Sequence, residues 1–255
     1  MEMYDNPDHV KTTFNENNLT EYLLQAQWSE FIELKKAIIE LHKRKRSQLS
    51  VLDIGIGDAR ILKHLCGIAE IWNAIKLYDG IDVAQNCIDI SKAVIKELKI
   101  SDKVNTILLD AVNLEKLQKK YDLIISTWFT VGNFYPSNFD FKKSSHGYDL
   151  TKNDKFDKIL RQAYEMLNPD GEIIIGSMYI DNEGTRKKQE ESYRHFGWTI
   201  ITDKRDSFTA SKEGWWSQRY TKQRVYDYLE FVPRDKISIV PLDTYDYAMM
   251  VIIRK

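Results

Sequence analysis

Residues 51–60, VLDIGIGDAR, run a short apolar stretch straight into a turn with two glycines and then a helix, and few folds accept that order. Residues 49–54 read as a buried strand of a parallel sheet. Gly55 and Gly57 let the backbone turn tightly and approach a ligand, and Asp58 is placed to cap a helix running to Leu65. A cofactor is expected on this turn. Counted from Gly55, Arg60 stands where a dinucleotide fingerprint needs its third glycine, so the pyrophosphate reading is poor. No Gly-Lys-Ser or Gly-Lys-Thr phosphate loop occurs anywhere in the chain.

Asp53 two residues ahead of Gly55, followed by Gly57 and the small Ala59, resembles the first motif of the class I S-adenosylmethionine (SAM) dependent methyltransferases. Ala59 stands in place of that family's usual third glycine. The remaining segments follow in the family's order: a strand at 76–82, a helix at 84–98, strands at 104–110 and 121–127, and a helix stop, turn and strand at 168–177. Two apolar segments close the chain, 237–242 and 247–254, too near in sequence for a parallel crossover and so expected as an antiparallel hairpin. The resemblance spans roughly residues 49–254. It implies an α/β, doubly wound fold with a seven-stranded, mostly parallel sheet and a C-terminal antiparallel hairpin.

The resemblance also implies a cofactor, SAM, leaving as S-adenosyl-L-homocysteine (SAH). Asp53, Gly55, Gly57, Val83 and Ser126 are the residues expected around it. Asp82, at the end of the second strand, is the expected ligand of the ribose hydroxyls, each charge-assisted bond contributing roughly 1.5 to 3 kcal/mol. Asp79, three residues earlier, is the rival for that role and is expected instead to cap the preceding turn. Asp110 is expected to accept from the adenine amino group, with Ala111 and Val112 lining the adenine slot.

Methyl transfer asks chiefly for alignment of donor and acceptor and for exclusion of water. The loop after the fourth strand, STWFTVGNFYP at 126–136, is rich in aromatics and amides. Trp128 and Phe129 are candidate walls for the acceptor, with core packing the open alternative for Phe129. Asn133 is a candidate for orienting a carbonyl or amine. The Asp-Pro-Pro-Tyr motif of nucleic-acid amino-methyltransferases is absent here, while Gly132, Asn133 and Phe134 echo an element of the histidine N-methyltransferases of betaine biosynthesis. An amine arriving protonated, or a hydroxyl, must lose a proton; Tyr135 and His146 are the candidates, with plain exposure the other reading of His146. Within 181–220, residues 198–202 and 214–221 read as strands of a cap over the pocket. Arg219 is a candidate partner for a substrate carboxylate or, with Tyr220, a brace for the helix that Thr221 begins. His195 is expected at a helix end.

With 255 residues and 43% hydrophobic content, one decorated domain is expected: an N-terminal lid or helix segment at 1–47, then a SAM-binding domain at 48–255 with substrate-side insertions near 133–151 and 181–220. Leu24, Trp28, Phe31, Leu34, Ile38 and Leu41 form one apolar stripe on a helix at 21–46, which serves either as a cofactor lid or as packing on the sheet edge. Lys plus Arg at 37 against Asp plus Glu at 38 argues against a broad electrostatic grip on nucleic acid. The basic run 42–46 reads as a solvated helix end. Cys66 and Cys87 read as reduced thiols and no metal is expected. The N-terminus lacks a leader pattern and no apolar run approaches the ~20 residues a membrane helix needs, which together suggest a cytoplasmic protein.

The expected function is transfer of a methyl group from SAM to nitrogen or oxygen of a small molecule. An RNA or protein methyltransferase and a non-catalytic SAM-binding subunit are the alternatives. Aminopropyl transfer is disfavoured, because Ser126 and Thr127 occupy the strand exit where paired acidic residues would be needed.

Overall fold

Two strands buried along their whole length form the middle of one sheet: β1 (Leu49–Ile54) and β4 (Tyr121–Ser126). They pair in parallel, with β2 (Ile75–Asp82) and β3 (Val104–Leu108) following on one side and β5 (Leu167–Ile180) on the other. The closing segments are β8 (Ile237–Pro241) and β9 (Ala248–Arg254), an antiparallel pair whose β9 runs antiparallel to β5. The seven expected strands therefore stand in the order β3-β2-β1-β4-β5-β9-β8. The computed structural model describes residues 19–143, 153–242 and 246–255, with Tyr4, Val10, Asn15 and Asn17.

Alternate residues of the same strands feed two cores, as the two-residue period of a strand requires. Val51, Ile125 and Ile174 join one; Leu52, Ile124 and Ile175 join the other. The first core takes in α1 (Glu21–Lys45), α2 (Arg60–Cys66), α3 (Ala69–Ala74) and α4 (Gln85–Leu98). The second takes in α5 (Asp154–Glu165) and α7 (Lys222–Tyr228). Between these last two lies α6 (Glu183–His195), which ends at His195 as expected. Among the described residues no helix is long and apolar enough to cross a membrane.

Three local expectations are corrected. The third strand stops at Leu108, and Asp110 instead caps a 3-10 turn at Ala111–Leu117 by accepting from Val112 N at 3.1 Å. Asp79 caps no turn: it lies within β2, fully buried, and accepts from Asn105 Nδ2, Lys119 Nζ and Tyr121 OH at 2.7 to 2.8 Å. The apolar stripe of α1 is rotated, with Trp28 60% exposed and Glu30 fully buried, because Glu30 has a partner inside the fold.

β5 outruns β4 and carries a bulge between Ile175 and Met178 in its pairing with β9, with Ser177 at φ 47°. Its overhanging end pairs in parallel with β7 (Trp216–Tyr220), and β6 (Phe208–Ala210) lies antiparallel on β7. These two added strands form the cap. The expected strand at 198–202 reduces to one bridge, Ile200 to Ser211.

The basic end of α1 is tied into the sheet. Arg44 pairs with Glu172 at 2.9 Å and Lys45 with Asp122 at 2.8 Å. Burial alone would raise the Asp122 carboxyl, but Lys45, the Ser50 amide and hydroxyl and the Asn168 amide outweigh it and hold it at about 2. A carboxylate held low stabilises the fold above its unfolded range, and that stability is lost as pH falls through its native value. Asp122→Asn is expected to cost about 1 to 3 kcal/mol at pH 7. In urea titrations the gap to the parent protein should close as pH falls from about 4 towards 2; a gap of constant size would contradict this.

Candidate active site

The turn after β1 is built on two backbone positions that favour glycine. Gly55 (φ +83°) and Ile56 both donate their N–H to Ile81 O at 2.9 Å, and Gly57 (φ +54°) donates to Asp82 Oδ2 at 3.0 Å. A side chain at Gly55 would put its Cβ 2.5 Å from Thr130 Cγ2, so the turn is pressed against the loop leaving β4. Ala59 takes φ 60° and ψ 27°, a left-handed conformation that costs on the order of 1 kcal/mol without glycine. The cap residue of α2 is Ala59 and not the expected Asp58, which stands one position ahead and accepts from Arg60 N at 3.2 Å.

A cavity of about 270 Å³ opens across the strand tips. At one end its walls are acidic and glycine-rich, with Asp53, Gly55, Gly57, Asp82 and Val83 followed by Asp110, Ala111 and Val112. Asp53 Oδ2 accepts from Tyr78 OH at 2.6 Å, while Oδ1 is buried with no partner among the described residues. Burial pushes this carboxyl up to about 7, against the Tyr78 hydrogen bond. Asp82 Oδ1 accepts from Ala84 N at 2.9 Å, so its carboxylate bridges the glycine turn and the start of α4.

Ser126 is a correction. Its hydroxyl donates to Ile54 O at 3.1 Å, tying β4 to β1, and it is Thr127 that lines the cavity. Beyond it, Trp128 (φ 52°) and Phe129 (φ 60°) are consecutive left-handed residues without glycine, a strained exit. Glu30 from α1 holds it: both carboxylate oxygens accept from Trp128 N at 3.1 Å. Arg60 lies over the Trp128 ring, 5.1 Å from its centroid. Phe129 is both wall and core, buried yet stacked at 4.0 Å on Tyr179 at the cavity's edge.

Asn133 and Tyr135 line the same cavity, and Lys155 Nζ sits 4.3 Å from the centre of the Tyr135 ring. His146 lies outside the described residues. Arg219 does not reach the cavity. It is 1% exposed, pairs with Asp181 at 3.3 Å, and donates to Gln189 Oε1 at 2.6 Å, to Thr209 Oγ1 at 2.8 Å and to Asp206 O. The geometry makes it a brace for the cap, because its neighbour in register alternates to the other face: Tyr220 packs on Phe156 and Tyr228, and Thr221 caps α7.

Sequence reasoning missed the face that α6 turns to the cavity, Gln189, Ser192, Tyr193 and Phe196, spaced i, i+3, i+4 and i+7. That spacing was readable. It also missed Glu30, whose signal was a charge in the series Leu23, Gln27, Glu30, Leu34 and Leu41. In the N-terminal segment Tyr4, Leu19 and Leu23 line the cavity, while Leu34, Ile38 and Leu41 are core.

A family described as "Methyltransferase domain" matches residues 45–232. No curated protein sequence matches the chain. Among solved structures, the plantazolicin methyltransferase BpumL, in complex with a triazolic desmethylPZN analog and SAH, superposes with a TM-score of 0.61 at 15% identity, over 100% of this chain and 93% of the other. The CcbJ methyltransferase from Streptomyces caelestis gives 0.61 at 10% identity, covering 100% and 98%. Magnesium protoporphyrin IX methyltransferase (ChlM) from Synechocystis PCC 6803 with bound SAH gives 0.60 at 12%, covering 97% and 93%. Likeness at such identities establishes the fold.

Burial raises the Glu30 carboxyl to about 7, with the Trp128 amide opposing. A carboxyl raised in the native state contributes stability at low pH that is lost as pH rises from the unfolded value, near 4.5, through about 7. Glu30→Ala, which strands the Trp128 N–H, is expected to lose about 1 to 3 kcal/mol at pH 5. Glu30→Gln keeps an acceptor and should gain on the parent protein between pH 5 and 7.5 in denaturant titrations; an unchanged difference would contradict the burial of this charge.

Proposed function

The chain belongs to the methyltransferase-domain family, and on that premise we propose that it moves a methyl group from SAM to a nitrogen or oxygen of a small organic acceptor. It is a SAM-dependent methyltransferase; the acceptor class is the part proposed. The acidic end of the cavity fits the cofactor, since the orphaned Asp53 Oδ1 suits a cationic partner, Asp82 ends β2 and Asp110 follows two residues after β3, both on the cavity wall. In this reading Asp82 holds the ribose, and Asp110, Ala111 and Val112 hold the adenine. Bound SAM supplies a methyl group on a sulfonium, electrophilic without further activation.

The chain's own residues then orient the acceptor and keep water out. Trp128, Phe129 and Tyr179 form apolar walls, and Asn133 offers an amide to a polar group of the acceptor. A protonated amine or a hydroxyl passes its proton to Tyr135 or His146, whereas a carboxylate needs no base.

The observation that carries the small-molecule reading is the cap. α6, the loop around Trp198 and the start of β7 wall the other end of the cavity with aromatic rings, leaving a chamber rather than an open basic groove. Within the basic run 42–46, Arg44 and Lys45 are engaged with Glu172 and Asp122. The structural neighbours include a magnesium protoporphyrin IX methyltransferase and a plantazolicin methyltransferase, in line with this reading.

Incubation with methyl-labelled SAM and a cell extract should place label in the low-molecular-weight fraction, with none in RNA or protein above the level seen with Asp82→Ala. Label in RNA or protein would overturn the acceptor class, and label nowhere would favour the non-catalytic alternative. Asp82→Ala should itself weaken SAH binding at least tenfold in calorimetry, about 1.4 kcal/mol. Unchanged affinity would refute the placement of the ribose.

A further inference from the structure

The end of the cavity farthest in composition from the acidic tips carries no ionisable acid, lysine, arginine or histidine. Its walls are Tyr4, Gln189, Tyr193, Trp198, Trp215 and Ser217, with the Trp198 and Trp215 rings stacked at 3.9 Å and 17° and the Tyr4 ring edge-on to Trp215 at 5.9 Å. Two N–H donors on these walls have no acceptor among the described residues: Gln189 Nε2 and Trp215 Nε1, in side chains 2% and 6% exposed. A buried donor left unpaired is costly, and two in one chamber call for a partner that the described residues do not supply.

The Gln189 amide cannot turn to hide its N–H₂. Its Oε1 accepts from Arg219 NH1 at 2.6 Å and from Thr209 Oγ1 at 3.0 Å, so a flipped amide would set donor against donor. The Tyr193 hydroxyl reaches Thr209 O at 3.3 Å and Ser217 Oγ at 2.8 Å, so both hydroxyl protons have acceptors. The unpaired groups are therefore donors only. They disfavour a cation, and an anion would be buried with no countercharge.

We propose, on the basis of the methyltransferase reading, that this chamber is a specificity subsite for an uncharged, planar part of the acceptor carrying a carbonyl or ring-nitrogen hydrogen-bond acceptor, bound by Gln189 and Trp215. Arg219 is a positioning residue: it fixes the Gln189 amide from behind and touches no ligand.

The test uses the full chain saturated with SAH and four bicyclic probes followed by tryptophan fluorescence: 4-quinolone, 1-methylnaphthalene, 2-naphthoate and a trimethylammonium naphthalene. 4-Quinolone should bind at least tenfold more tightly than the other three. That preference should fall below threefold in Trp215→Phe, which removes the N–H together with part of the indole ring, the naphthalene probes reporting the loss of ring area, and in Gln189→Met. Arg219→Lys should weaken 4-quinolone while leaving the naphthalene affinity unchanged, which a general loss of packing would not do. Preference for a charged probe, equal binding of all four, binding of none, or a preference that survives both Trp215→Phe and Gln189→Met would overturn the subsite. SAH affinity is measured in parallel for every protein. Its absence in the parent chain would sink the methyltransferase reading, whereas its retention with an altered probe order bears on the subsite alone.

Discussion

One buried carboxylate, that of Glu30, sets the geometry of the open end of the sheet. It reaches from α1 to Trp128 N and so fixes two successive left-handed residues that would otherwise relax. Space for it exists only because residue 176 is glycine, where a Cβ would stand 2.3 Å from Glu30 Oε2. The loop so held places Thr130 against Gly55, and the glycine turn in turn hands its Gly57 amide to Asp82. α1, loop, turn and β2 tip thus form one mechanical series, which makes α1 an integral wall of the site as well as part of the core.

The cavity that results has two chemistries. Its acidic end stands over strand tips and a glycine turn, where backbone can approach a ligand closely; its other end is aromatic, uncharged and covered by strands that the parallel sheet does not need. A cationic methyl donor and a neutral acceptor body call for that asymmetry. Charge near the sulfonium stabilises the bound donor, while a dry apolar chamber aligns the acceptor and excludes water. The overhanging end of β5 is what joins the halves, because it runs past β4 to meet β7.

Much of this was legible in the sequence. The strands announced themselves as apolar runs beside glycine, proline and acidic residues, and two closing runs a few residues apart could only be a hairpin. The glycine turn, Asp82 and the aromatic loop lie in the cavity wall as read. What failed to show were residues whose role depends on a partner far away in sequence. Arg219 looked like a substrate ligand because nothing local reveals that Gln189, Thr209 and Asp181 surround it. Asp79 looked like a cap because Lys119 and Tyr121 meet it only across the sheet. Ser126 was read one residue too early, since the alternation of β4 turns its hydroxyl to β1 and leaves Thr127 at the cavity.

The most direct test of this account is a crystal structure of the chain grown with SAH. The account predicts the ribose against Asp82, the adenine beside Asp110 to Val112, and the sulfur facing the side of the cavity formed by Trp128, Asn133 and Tyr135. An adenosyl group seated among Trp198, Trp215 and Gln189, or bound outside the cavity, would contradict it.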